Sequence, residues 1–72
     1  MQKVKFNYSK LKGRITEICG TQKAFAEQLG ITEGTLTSKL LGYKYFSQDE
    51  ILRSLEILGI SAGRTTDYFF TV

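Results

Sequence analysis

A chain of 72 residues has room for one small domain, residues 1–72, and its hydrophobic content of 42% predicts a folded chain rather than a disordered one. No segment has the roughly 20 apolar residues that a membrane span needs, and no signal peptide is evident, so we expect a cytoplasmic location. The chain has no His and a single Cys. We therefore expect no enzyme activity, metal, cofactor or small-molecule substrate. The net charge of +3 mildly favours a polyanionic partner.

The N-terminal part of the chain is predicted to hold a strand and a helix. Residues 3–8 alternate polar and apolar side chains, as in a strand with one buried face. Ser9 is placed to cap a helix that Gly20 ends. The apolar side chains of this helix recur at spacings of four and three, which puts them on one inner face: Leu11, Ile15 and Ile18.

Two short helices follow, joined by a three-residue turn. Thr21 caps the first of them and Gly30 ends it after two turns. Thr32 caps the second, over about residues 32–41, and Gly42 stops it. The inner faces of the two helices carry Phe25, Ala26, Leu29, Leu36 and Leu40.

The C-terminal part begins with the capping box that Ser47 and Glu50 form at the start of a fourth helix, which Gly59 ends. The apolar positions of that helix are Ile51, Leu52, Leu55 and Leu58. A further turn is expected around residues 62–67. Residues 67–72 are aromatic and β-branched, which favours a strand able to pair with the N-terminal one. The predicted fold is mainly α, a compact bundle of four to five helices with the option of a small two-stranded β ribbon.

The most informative segment is residues 21–42, TQKAFAEQLGITEGTLTSKLLG. Two short helices around a tight turn cross steeply, which requires the small side chain of Ala26 at the contact and Gly30 at the turn. This segment resembles the helix-turn-helix of the Cro and repressor family of phage regulators. With the following residues it is similar to the small Cro-like proteins of Gram-positive phages and prophages, over roughly residues 9–60. The resemblance implies a lambda-repressor-like fold and a transcriptional regulator that binds an operator in double-stranded DNA.

Within this hypothesis the helix at about 32–41 lies in the major groove. Its outer face supplies the candidate base-reading residues Glu33, Gly34, Thr35, Thr37 and Ser38. The start of the first motif helix and the loop after the second supply the candidate phosphate contacts Gln22, Lys23, Lys39, Tyr43 and Lys44. Each lysine taken singly has the alternative of being an ordinary solvated residue.

The aromatic tail of Tyr68, Phe69 and Phe70 is the candidate dimer contact. Side chains of a strand alternate between its faces, so one face of the tail can cover the core while the other meets a partner. A homodimer also suits DNA recognition, since one helix reads only a few base pairs. The alternative is that the tail folds back within the monomer.

A second hypothesis is a protein-interaction module on the same fold, such as an antirepressor or an antitoxin, with little DNA specificity. Two features of the predicted reading face favour it. Leu41 stands where the resembling family commonly has Asn, and Glu33 stands where that family often has an amide or a hydroxyl.

Overall fold

The computed structural model describes residues 6–72. These residues form five helices and one 3₁₀ turn, in the order α1 (Ser9–Cys19), α2 (Gln22–Leu29), α3 (Glu33–Leu40), α4 (Gln48–Leu58), the 3₁₀ turn (Ala62–Arg64) and α5 (Thr65–Phe69). The prediction of a mainly helical, compact bundle is confirmed. Within residues 6–72 we find no helix long and apolar enough to cross a membrane.

Three helices start at the caps that the sequence predicts, namely Thr21, Thr32 and Ser47. In each case the side-chain hydroxyl accepts a hydrogen bond from the backbone N–H three residues later, at 3.1 Å. The Glu50 carboxylate accepts in return from the backbone N–H of Ser47, which completes the predicted capping box. The register of α2, α3 and α4 is therefore set by short-range contacts.

The start of α1 differs from the prediction. Ser9 is the first residue of the helix, and Tyr8 takes the cap position. The reason is that the Asn7 side chain accepts a hydrogen bond from the backbone N–H of Ser9 at 2.9 Å, so the local turn begins earlier. Of the predicted N-terminal strand, residues 3–5 lie outside the described part of the chain, and residues 6–8 are not in a strand.

The C-terminal segment is helical, so the predicted strand at 67–72 and the two-stranded ribbon are wrong for the described residues. A helix allows the neighbours Tyr68 and Phe69 to be buried together, which a strand with alternating faces does not. The Thr71 hydroxyl donates to the carbonyl oxygens of Asp67 and Thr66 at the end of α5, at 2.9 and 3.3 Å. The two ends of the described chain do meet, since the backbone N–H of Asn7 donates to the Thr71 carbonyl.

The core contains most of the predicted inner residues, but Ile18 and Leu52 are 46% and 60% exposed. In α1 the inward line runs through Leu11, Ile15 and the half-buried Cys19 at spacings of four, which leaves Ile18 at the edge. In α4 the buried flank carries Ser54 instead of Leu52. Burial of Ser54 is tolerated because its hydroxyl donates to the Glu50 carbonyl at 2.7 Å.

Candidate functional site

The turn between α2 and α3 is tight and depends on Gly30. This residue has φ +87°, and its N–H and that of Ile31 both donate to the Ala26 carbonyl, at 2.9 and 3.0 Å. A Cβ on Gly30 would also lie 3.5 Å from the Arg53 guanidinium. Glycine is the residue that adopts this conformation without steric cost. The two helices that the sequence analysis singled out are thus joined by the three residues 30–32.

The candidate base-reading residues lie together on the first two turns of α3. Glu33, Gly34 and Thr37 are exposed, whereas Thr35 and Ser38 are half-buried. The Thr35 hydroxyl is already engaged, since the Thr32 hydroxyl lies 2.9 Å from it. The accessibility of these residues is compatible with contact to either DNA or a protein. Their role in reading bases stays a prediction.

The candidate phosphate contacts are not equivalent in the structure. Lys23, Tyr43 and Lys44 are exposed and Gln22 is half-buried, but Lys39 is only 8% exposed. The prediction that Lys39 contacts phosphate does not agree with this placement. The side chain is buried, and its ammonium donates to groups of the same chain.

Lys39 joins α3 to the start of α4. Its Nζ lies 2.7 Å from Glu50 Oε1 and 3.0 Å from the Tyr45 carbonyl oxygen, and it stands 5.7 Å from the centre of the Phe46 ring. These contacts connect the end of one helix, the loop at 41–47 and the capping box of the next helix. The ion pair therefore fixes the course of the loop.

Glu50 carries the negative half of this pair. Burial raises the pKa of its carboxyl. Hydrogen bonds from the Lys39 ammonium and from the backbone and hydroxyl of Ser47 lower the pKa by more than burial raises it, so the pKa lies below its ordinary value. The carboxylate is consequently ionised at neutral pH. The pair is charged under physiological conditions. The Lys39 ammonium, which the sequence analysis predicted to contact DNA phosphate, is therefore neutralised by Glu50.

The loop after α3 presents apolar side chains to solvent. Leu41 is 48% exposed and Tyr43 is 69% exposed, and the exposed Lys44 follows them. We call Leu41, Tyr43 and Lys44 the α3-end patch. Sequence analysis predicted that two of these residues, Tyr43 and Lys44, contact phosphate, which stays a prediction. It did not anticipate the ion pair that holds the loop, since Lys39 and Glu50 are 11 positions apart.

The predicted tail residues divide between core and surface. Tyr68 and Phe69 are buried, while Phe70 is 46% exposed. The Phe70 ring packs edge-on against Phe6 with centroids 5.6 Å apart, and Phe69 packs in the same way against Phe46 at 5.4 Å. The tail thus packs within the monomer, and a homodimer through it stays an untested prediction.

An apolar trough runs beside α4 and α5. It consists of two adjoining clefts, of about 280 and 330 Å³, that share Ile51 and Phe70 in their walls. The sequence analysis did not anticipate the trough, because its walls come from four separate segments.

As for metals, residues 6–72 contain no group of three or more His, Cys, Asp or Glu side chains placed to hold an ion.

Two of three comparisons with known proteins find a match. The chain is similar over 93% of its length to the modulator of repression (MOR) of the temperate bacteriophage TP901-1 from Lactococcus lactis, with 39% identity, a TM-score of 0.80 and 90% of that chain covered. A search of curated proteins gives no match. Residues 4–72 match the family described as "Protein of unknown function (DUF739)". This chain therefore belongs to the DUF739 family.

Proposed function

We propose that this chain is a phage or prophage regulator that modulates repression by binding a repressor protein. The proposed role in repression is based on the 39% identity between this chain and a modulator of repression, over nearly the whole chain. The kind of partner comes from the charges and side chains around α3. A role in binding, without catalysis, is part of the same proposal.

The observation that carries the choice of a protein partner is the burial of Lys39. A surface that binds DNA sets several cations against phosphates, and their number governs its affinity. Of the three candidate lysines, only Lys23 and Lys44 offer an exposed ammonium, because that of Lys39 is paired with Glu50. The exposed carboxylate of Glu33 adds a negative charge at the start of α3. This surface has little excess positive charge for a polyanion.

The α3-end patch supports the same choice. Tyrosine is enriched at the centres of protein interfaces, and charged residues are depleted there. Tyr43 and Leu41 expose about two thirds and one half of their surface beside the predicted reading face. Contact with another protein would bury the apolar surface of Leu41 and Tyr43, whereas contact with a phosphate backbone would leave that surface exposed to water.

Operator binding by the chain itself is the second candidate function. It is favoured by the two capped helices around the turn at Gly30, with Lys23 at the start of the first and the exposed Thr37 on the second. In that case the chain would act as a homodimer on two half-sites.

The test is to titrate the purified chain with the repressor encoded in the same genome, and separately with that repressor's operator, at physiological salt. We expect calorimetry to give a dissociation constant in the micromolar range or below for the repressor, and a gel-shift assay to give no complex of the chain alone with the operator. A specific complex with the operator and no heat with the repressor would instead establish the second candidate. If the chain binds neither the repressor nor the operator, both candidate functions are excluded.

A further inference from the structure

We propose that a polar cleft between α1 and the 3₁₀ turn binds a small ligand through its phosphate group. The cleft has a volume of about 240 Å³, and its walls come from α1, the end of α4, the 3₁₀ turn and α5. We call it the arginine cleft. None of its lining residues lies on α2 or α3, so it is separate from the α3-end patch. The lining residues are Arg14, Gly59, Ile60, Ser61, Arg64 and Tyr68.

The hydroxyl of Tyr68 is the first indication of a ligand. Only 9% of this residue is exposed, yet its hydroxyl makes no hydrogen bond to any described residue. The Lys10 ammonium lies over the ring, 5.1 Å from its centre, and does not satisfy the hydroxyl. Buried tyrosine hydroxyls usually have a hydrogen-bond partner. Because no fully buried side-chain oxygen among residues 6–72 lacks one, the Tyr68 hydroxyl reaches solvent, and Tyr68 lines the arginine cleft.

Arg14 is held in place by its own chain. Its Nε donates to the Leu58 carbonyl oxygen at 2.9 Å, and its Nη1 donates to Glu17 Oε1 at 2.8 Å. These two bonds fix the plane of the guanidinium, whereas Nη2 makes no hydrogen bond to a described residue. A Cβ on Gly59 would lie 3.5 Å from Nη2, so the glycine leaves this side of the guanidinium open. The N–H groups of Nη2 are therefore preorganised donors.

Arg64 and Ser61 add donors from the 3₁₀ turn. Arg64 Nε lies 3.6 Å from Asp67 Oδ2, an ion pair that is too long for a hydrogen bond. The exposed Ser61 hydroxyl makes no capping hydrogen bond. The cleft thus combines two guanidinium groups with two hydroxyls. Arginine recognises phosphate through paired N–H groups, and a phosphate has more oxygens to share among four donor groups than a planar carboxylate has.

The distribution of charge also favours an anion on this side of the molecule. In the described part of the chain, α1, the 3₁₀ turn and α5 together hold four cations and two carboxylates. The other described residues hold four cations and five carboxylates. The excess of positive charge therefore lies on the elements that form the cleft, and it attracts anions.

The experiment titrates the isotope-labelled full chain with inorganic phosphate, adenosine 5′-monophosphate and acetate, each at the same pH and ionic strength. We expect saturable amide shifts at residues 59–64 and at Tyr68, with half-saturation by inorganic phosphate at about 1 mM or below. Acetate should bind at least about tenfold more weakly. Tighter binding of adenosine 5′-monophosphate would identify phosphate esters as the source of the group, and equal binding would identify free phosphate.

Single substitutions locate the site. Arg64→Gln should weaken phosphate binding by about tenfold or more, since it removes a charge-assisted contact. Tyr68→Phe keeps the buried ring and removes only the hydroxyl, which should cost about threefold or more. If Tyr68→Phe does not fold, Ser61→Ala makes the same comparison at an exposed position. The matched control is Arg53→Gln, because Arg53 is also ion-paired and its side chain is 48% exposed against 58% for Arg64, but it does not line the cleft. Its affinity should be unchanged.

Four outcomes would overturn the proposal. Absence of saturable shifts at residues 59–64 would exclude the site, and equal losses in Arg53→Gln and Arg64→Gln would show diffuse attraction only. Equal affinity for acetate would exclude the phosphate assignment. Displacement of phosphate from the cleft by a random-sequence DNA duplex would make the DNA backbone the ligand instead of a small molecule. No repressor enters these titrations, so their result is independent of the proposed function.

Discussion

The ammonium of Lys39 and the carboxylate of Glu50 lie 2.7 Å apart where α3 meets α4, with 10% and 13% of their side chains exposed. Removal of one member of a largely buried pair leaves the other charge without compensation, which costs more than the pair itself contributes. We expect Glu50→Gln to lower the free energy of unfolding by about 2–4 kcal/mol. Lys39→Met should cost less, about 1–2 kcal/mol, because the Glu50 carboxylate keeps its hydrogen bond from the backbone N–H of Ser47.

Urea unfolding of the two single variants and of the double variant checks this prediction. The double variant should be more stable than the sum of the single losses indicates, by about 1–2 kcal/mol. Strictly additive losses would mean that the two side chains do not interact in solution.

The same pair predicts a pH dependence. The pKa of Glu50 is lower in the folded chain than its ordinary value, so ionised Glu50 stabilises the fold above the unfolded pKa of about 4.3. This stabilisation is lost as the pH falls through the folded pKa. We expect urea midpoints of the parent chain to decline below about pH 5 more steeply than those of Glu50→Gln. Parallel curves for the two proteins would assign the acid sensitivity to other carboxylates.

The helix caps give a prediction with a built-in control. Ser47→Ala removes the acceptor for the Glu50 N–H and should lower the free energy of unfolding by about 1 kcal/mol. Ser61 occupies the equivalent position before the 3₁₀ turn, but its side chain makes no capping hydrogen bond. Ser61→Ala should therefore change stability by less than about 0.5 kcal/mol. A similar loss for both variants in thermal and urea unfolding would contradict a specific role of the Ser47 cap.

Two glycines should respond to alanine with opposite signs. Gly13 lies inside α1, and a Cβ there would meet no atom within 4 Å, so Gly13→Ala should stabilise the chain by about 0.5–1 kcal/mol. Gly30 has φ +87°, a conformation that alanine adopts only with strain. Gly30→Ala should cost about 1 kcal/mol or more. Unfolding midpoints that move in the same direction for both would show that the turn relaxes.

The sequence predicted correctly those features of the fold that depend on residues close together in the chain. The caps at Thr21, Thr32 and Ser47 and the turn glycine at Gly30 depend on neighbours within a few residues, and they are in place. Phe70 and its neighbours have strand propensity, but the packing of two adjacent aromatic rings against the core favours a helix.

The candidate site was less predictable for the same reason. Whether a lysine is a surface cation or a buried one depends on a partner far along the chain. The charge of Lys39 is compensated by Glu50, on another helix, and no spacing rule pairs residues 11 positions apart. The walls of the trough come together only when α4 and α5 pack, so helix periodicity alone does not reveal them.

The α3-end patch separates the two candidate functions. If a repressor binds there, Tyr43→Ala and Leu41→Ser should each weaken the complex by about tenfold or more, because each removes apolar area from the contact. Ser38→Ala, on a half-buried position of α3, should change repressor affinity by less than about threefold. If instead the chain reads an operator, Ser38→Ala should alter the preference among operator sequences, and Lys44→Ala should weaken all sequences alike and reduce the salt dependence by about one ion. Calorimetry with the repressor and gel shifts over a salt series give both readouts on the same four variants, and an unchanged repressor affinity in Tyr43→Ala and Leu41→Ser would exclude the patch as the interface.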